Sequence, residues 1–158
     1  MLNSLSGQLS AKGEYEEAIE VYDRGLVGRM KVLGEDHKDT NGTLNNLGVV
    51  HKNLKNYEKA LEYYERALEG KERLLGKSHP DVLSTVVNIA IAYASAKDFG
   101  KAEVLFQRAL EGYEAQLGKD HDTTTNCMKN FSLCLKDGGN FERLASLKNT
   151  YTWLNDAL

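Results

Sequence analysis

Apolar residues recur along this chain at helical spacing. Between residues 37 and 76, positions 44, 47, 50 and 54 share one helix face, and 57, 60, 61, 64, 67, 68, 74 and 75 share another. The break between the two sets, Leu54-Lys55-Asn56-Tyr57, is short, as an antiparallel helix pair requires. A single proline and long stretches of Ala, Leu, Glu and Lys extend this expectation of helix to almost the whole chain.

The pattern is periodic. Tyr15, Tyr57, Phe99 and Phe141 follow one another at intervals of 42 residues, and so do Leu47, Ile89 and Phe131. Ala18, Ala60 and Ala102 keep the same step, as do Tyr22, Tyr64 and Phe106, so the chain is a tandem repeat. Small residues fall where paired helices would cross: Gly48, Ala90 and Ser132 on the first helix, Ala60 and Ala102 on the second. A bulky side chain there would push the axes apart. Gly28, Gly70 and Gly112 recur inside the second helices, where glycine costs up to about 1 kcal/mol against alanine. They share a face with Ala67 and Leu74, and their expected role is to let the next repeat approach closely.

Near-copies of one linker separate the units: LGEDHKDT from Leu33, LGKSHPDV from Leu75 and LGKDHDTT from Leu117. Gly76-Lys77-Ser78 is no phosphate loop, because Lys71 stands where the motif needs glycine and a helix precedes it instead of a strand. His37, His79 and His121 occupy equivalent points of successive repeats. Packed helices lie about 8–10 Å apart, so these imidazoles cannot converge on an ion that needs them at about 2.0–2.1 Å. No metal or cofactor is expected. As punctuation the linker is legible throughout: Gly34, Gly76 and Gly118 suit a left-handed position past a helix end. Asp36, Ser78 and Asp120 are expected N-caps, three residues on stand Asp39, Asp81 and Thr123, the acidic two completing a capping-box-like pair, and Pro80 falls in a first turn.

Leu47-Gly48, His51, Tyr57, Ala60, Tyr64 and Ala67 resemble the tetratricopeptide repeat (TPR) pattern, and Ile89-Ala90, Tyr93, Phe99, Ala102, Phe106 and Ala109 match it more fully. The ordinary unit has about 34 residues. The longer period, with its LGxxHxD linker, is similar to the kinesin light chain subtype. The resemblance covers nearly the whole chain and implies an all-α fold, a right-handed α-solenoid of about four antiparallel helix pairs. The expected division is one domain, 1–158, with a truncated repeat 1 at about 1–34, repeat 2 at about 35–76, repeat 3 at about 77–118, and repeat 4 with a C-terminal cap at about 119–158. Leu5, Ser6 and Leu9 match Leu47, Gly48 and His51 without a preceding linker, so the chain reads as a piece of a longer protein. In the fourth unit Leu144 replaces the crossing alanine and Lys148 the aromatic residue. Its last helix is expected to cap the stack, or to await a partner covering Tyr151 and Trp153.

Composition adds mainly exclusions. A net charge of -3 and a pI near 5.8 give no general attraction to nucleic acid. The longest apolar run, VVNIAIAYA, is far short of the roughly 20 residues a membrane span needs. The first residues, MLNSLSGQ, lack the basic start and apolar core of a signal peptide. Cys127 and Cys134, seven residues apart on one predicted helix, are separated by about 10.5 Å of rise and cannot readily pair. A reducing, cytoplasmic setting is expected. No Ser/His/Asp or Cys/His set has a reason to converge, so neither enzymatic activity nor a small-molecule substrate is expected.

Stacked helix pairs form a superhelix with a concave face. The resemblance implies that groove-facing positions lie on the first helix of each repeat. These are Asn45, Asn46, Val49, Lys52 and Asn53 in the second unit; Ser84, Val87, Asn88, Ile91 and Ser95 in the third; and Asn126, Lys129, Asn130, Leu133, Lys136 and Asp137 in the fourth. Asn46, Asn88 and Asn130 form a ladder at the repeat period. A side-chain amide offers both a donor and an acceptor to an extended peptide backbone, although asparagine can also bridge adjacent helices. Lys52, Lys129 and Lys136 outweigh Asp137, and Val49, Val87, Ile91 and Leu133 add apolar patches. The expected ligand is an acidic, partly hydrophobic protein segment. The two-carboxylate clamp of chaperone-binding TPR domains is not expected, since only Lys129 and Asn88 fit it while Val49 and Leu133 stand at other clamp positions. The alternative is a structural or self-associating segment whose groove is filled by its own chain or a second copy.

Overall fold

The computed structural model describes residues 14–154. They form α1 (Tyr15–Leu33), α2 (Lys38–Asn53), α3 (Tyr57–Leu75), α4 (Pro80–Ser95), α5 (Phe99–Leu117), α6 (Asp122–Asp137) and α7 (Phe141–Thr150). No strand occurs among the described residues. Helices of 16 residues (α2, α4, α6) alternate with helices of 19 (α1, α3, α5), and α7 stops after 10. Each helix packs on its chain neighbours, while α2 also touches α4 and α4 touches α6. The result is a solenoid of two layers, first helices in one and second helices in the other. Leu5, Ser6 and Leu9 lie outside the described residues.

The linker glycines adopt φ of 87° (Gly34), 84° (Gly76) and 88° (Gly118), with ψ of 170°, 155° and 163°. Positive φ with extended ψ is a region essentially confined to glycine, and not the left-handed helical conformation the sequence suggested. Each glycine N–H still closes the last turn of its helix, onto Met30, Glu72 and Glu114 carbonyls. The caps also differ from expectation. Asp36, Ser78 and Asp120 are not the N-caps; His37, His79 and His121 are. Each imidazole Nδ1 accepts from the backbone N–H two residues on, at 3.2, 3.1 and 3.2 Å. The ring reaches one residue further into the helix than a short Asp or Ser at the preceding position. Asp36 instead accepts two bonds from Arg73, at 2.9 and 2.5 Å. Pro80 opens α4, where its missing N–H costs nothing.

The turn inside each unit is equally regular. Lys55 (φ 60°), Lys97 (φ 67°) and Gly139 (φ 76°) take the left-handed position. The following N–H, of Asn56, Asp98 or Asn140, bonds the carbonyl of His51, Tyr93 or Leu135, the Schellman closure of a helix end. The same Asn56, Asp98 and Asn140 side chains then cap the second helix by accepting from Lys59, Lys101 and Arg143 N–H groups.

Packing explains the small residues. A Cβ on Gly48 would lie 2.5 Å from Tyr64 ring carbons, so the ring sits directly on the glycine backbone. The second-helix glycines act differently from expectation. Gly70 faces the Asn41 amide, and a Cβ on Gly112 would lie 2.5 Å from Leu83 Cδ1. Both neighbours belong to the first helix of the same unit, so the close approach is within a unit and not to the next. Gly28 meets nothing within 4 Å among the described residues. At the far end, Leu144, Tyr151 and Leu154 join the core cluster. Tyr151 N–H bonds the Leu147 carbonyl, turning the chain so that it covers this end of the core itself. Trp153 packs partly buried against the same cluster.

Candidate peptide-binding groove

Helices α2, α4 and α6 present their polar faces as one surface. That surface arises because core residues claim the other sides: Val82, Leu83, Val86, Ile89 and Ala90 on α4, and Cys127, Met128, Phe131 and Leu135 on α6. Between α4 and α6 the surface dips twice. One hollow, about 240 Å³, is lined by Ser84, Val87, Asn88 and Asn126, with Tyr113, Thr123 and Cys127 beneath. The other, about 360 Å³, is lined by Ile91, Ser95, Leu133 and Asp137, with Tyr57, Ala94, Lys97, Phe106 and Cys134. Asn130 borders both, so the two form consecutive stations along one path.

Nine of the expected groove residues therefore meet: Ser84, Val87, Asn88, Ile91, Ser95, Asn126, Asn130, Leu133 and Asp137. Leu133 is 49% exposed, an apolar side chain available to a ligand. Asn45, Asn46, Val49, Lys52 and Asn53 line neither hollow, nor do Lys129 and Lys136. Asn88 is partly committed already: its amide N–H donates to Asn45 Oδ1 at 3.1 Å, bridging two units. Of the ladder asparagines, Asn130 is the exposed one, while Asn46 and Asn88 are half-buried. The Lys129 ammonium lies 5.9 Å from the centre of the Trp153 ring, so the chain's own C-terminal segment reaches the edge of this face.

Burial pushes the Cys127 thiol up to about 12, helped by the Glu114 carboxylate, and the Cys134 thiol up to about 11, helped by Glu103 and Asp137. Both sulfurs at these hollows are thus protonated, apolar packing atoms and poor nucleophiles. Burial also holds the Lys52 ammonium below its ordinary pKa. Among the described residues no group of three or more His, Cys, Asp or Glu side chains could hold a metal ion, and no helix is long and apolar enough to cross a membrane.

Sequence reasoning missed the floor. Tyr113 and Phe106 come from α5, a second helix, and reach between the first helices from below; burial pushes the Tyr113 phenol up to about 12. Their signal was present as aromatic residues on the inner face of α5, but carrying over first-helix positions alone could not find them.

A tetratricopeptide repeat profile matches residues 39–115 and 83–143, and a second tetratricopeptide repeat profile matches residues 1–39. Among solved structures, BtubC (BKLC) from P. vanneervenii aligns at 25% identity and TM-score 0.85, covering 97% of this chain and 61% of that one. A Podosopora anserina putative kinesin light chain with nearly identical TPR-like repeats aligns at 16% identity and TM-score 0.88, covering 99% of this chain and 74% of its own. A point variant of that protein aligns at 16% identity and TM-score 0.87. This chain thus spans 61% of the length of BtubC. No curated protein matches significantly.

Proposed function

The chain belongs to the tetratricopeptide repeat family, with 42-residue units of the kinesin light chain-like form, and on that premise we propose that it holds an extended, acidic, partly hydrophobic segment of a partner protein along α4 and α6. TPR repeats serve as protein–protein interaction scaffolds. The observation that carries the finer reading is the pair of adjoining hollows sharing Asn130, each combining amide groups or a hydroxyl with apolar wall. An extended chain places alternate side chains on one side, so successive stations suit side chains two residues apart, with Asn130 free to pair with the backbone between them. Lys129 and Lys136 flank the path and favour carboxylates, and because they are exposed they act chiefly on encounter rate and specificity.

A groove filled by the chain itself or by a second copy is the competing reading, and one contact favours the first of these: Trp153 of the chain itself already lies against Lys129. Light scattering tests for the second copy, since an adaptor with an open groove stays monomeric. The groove itself is tested by fluorescence anisotropy with a labelled peptide of alternating glutamate and leucine, and with its lysine counterpart. The acidic peptide should bind more tightly, and Lys129→Glu combined with Asn130→Ala should weaken it by about tenfold or more. Equal affinity for both peptides, or an unchanged affinity in the variant, would sink the proposal.

A further inference from the structure

The joints between units in the first-helix layer follow one rule, and the chain's C-terminal turn obeys it. Between α2 and α4, Asn45 meets the ladder asparagine of the next unit, accepting from Asn88 at 3.1 Å. Between α4 and α6, Val87 stands 42 residues after Asn45 and lines one hollow with the next ladder asparagine, Asn130. Lys129 is the third residue of this series, and no further first helix follows α6 among the described residues. Trp153 stands beside it instead, its ring centre 5.9 Å from the Lys129 ammonium.

The local structure fixes that ring. Helix α7 ends after 10 residues where α1, α3 and α5 run for 19. The chain then turns, with Tyr151 N–H on the Leu147 carbonyl at 2.8 Å and Leu154 N–H on the Tyr151 carbonyl at 2.9 Å. Tyr151 and Leu154 are buried in the core cluster that includes Cys127, Met128 and Phe131 of α6, and the Lys119 ammonium lies 5.4 Å over the Tyr151 ring. Trp153 is therefore anchored on both sides, and its own side chain packs half-buried against the same cluster. A lysine side chain on its own spreads over many rotamers. Of the two exposed lysines on α6, Lys129 and Lys136, only Lys129 has a ring beneath its ammonium among the described residues.

We propose that Trp153 is a positioning residue of the groove, holding Lys129 ready to pair with a carboxylate of the bound segment. This rests on the reading of the α4–α6 face as a peptide groove. The indole attracts the ammonium through its ring quadrupole and leaves N–H donors of the lysine to the ligand. Holding Lys129 in place raises the fraction of its conformers competent to bind, and affinity rises with that fraction. Lys136, without such support, acts by longer-range attraction. The acidic residue that matters most in the bound segment is the one beside Lys129.

The test is a double-mutant cycle of Lys129→Gln and Trp153→Leu in the full chain, read by anisotropy with the labelled glutamate–leucine peptide. Trp153→Leu keeps an apolar side chain against the core and removes the ring. It should weaken binding roughly two- to fivefold, the population effect of one exposed cation–π contact. Once Lys129→Gln has removed the ammonium, Trp153→Leu should cost nothing further. Trp153→Phe, which restores a ring, should recover most of the affinity. Equal weakening in both lysine backgrounds would mark a structural role, and tighter binding would mark a side chain that blocks the groove. Either result, or an unchanged affinity, would overturn the proposal. Trp153 is the chain's single tryptophan, so its emission reports this contact directly. Saturating peptide should change that emission in the wild type and much less in Lys129→Gln; no change in the wild type would also overturn the positioning role. Failure of the wild type to bind the peptide at all is a different outcome, which sinks the groove reading and this inference with it.

Discussion

His79 invites a chemical role by its position, and its geometry gives it a structural one. Its Nδ1 accepts the Asp81 N–H at 3.1 Å, as the equivalent histidines do for their helices. Removing that acceptor in His79→Ala should cost about 1 kcal/mol, and His79→Asn should recover most of it, as read from urea denaturation. Equal stability of the alanine variant would contradict the cap. His51 behaves differently. It is buried, its Nδ1 has no hydrogen-bond partner among the described residues, and burial first, then the Lys59 ammonium, hold its pKa below the ordinary 6.5. The folded protein therefore binds fewer protons here than the unfolded chain. Stability from this site is complete above 6.5 and is lost as pH falls below it toward the lowered native value. Thermal melts between about pH 7.5 and 5 should lose less in His51→Tyr, the residue at the sister position Tyr93, than in the wild type. Parallel losses would contradict this assignment.

Elements were legible from the sequence wherever one periodic signal decided them. The period placed every second helix correctly, from Tyr15, Tyr57, Phe99 and Phe141 at their first residues. It also marked Gly48 as a helix-crossing position, and there the Tyr64 ring lies on the glycine backbone. What it could not supply was which atom reaches which. The choice between Asp36 and His37 as cap turns on side-chain reach, and the partner of Gly70 and Gly112 turns on which neighbour projects toward the backbone. The left-handed lysines Lys55 and Lys97 escaped notice because only Gly139, the third copy, carries the residue that advertises that conformation. The corrected packing yields its own test. Gly112→Ala drives a methyl into the buried Leu83 side chain, whereas Gly100, also helical, has open space. Gly112→Ala is expected to lower the melting temperature despite alanine's better propensity, while Gly100→Ala should be neutral or stabilising by up to about 1 kcal/mol. A stabilised Gly112→Ala would remove the close-approach explanation.

For the whole molecule, two layers of helices divide the surface into unlike faces. The first-helix face carries amides, lysines and two shallow hollows between α4 and α6, and the second-helix face carries ion pairs such as Arg108 with Glu72 at 2.6 Å. The repeat register named nine of the residues that line the two hollows of the third and fourth units. It was not enough for the second unit, where Asn45 is spent on a bridge to Asn88. Such bridges depend on the rotation between neighbouring units, which no single repeat encodes. The central claim is that the α4–α6 face receives the partner segment, and amide chemical-shift mapping with the glutamate–leucine peptide addresses it most directly. The account predicts shifts concentrated on α4 and α6 around Asn88, Asn130 and Leu133, and their loss in the Asn130→Ala, Leu133→Asp double variant. Shifts that fall instead on the second helices, or that persist unchanged in that variant, would contradict it.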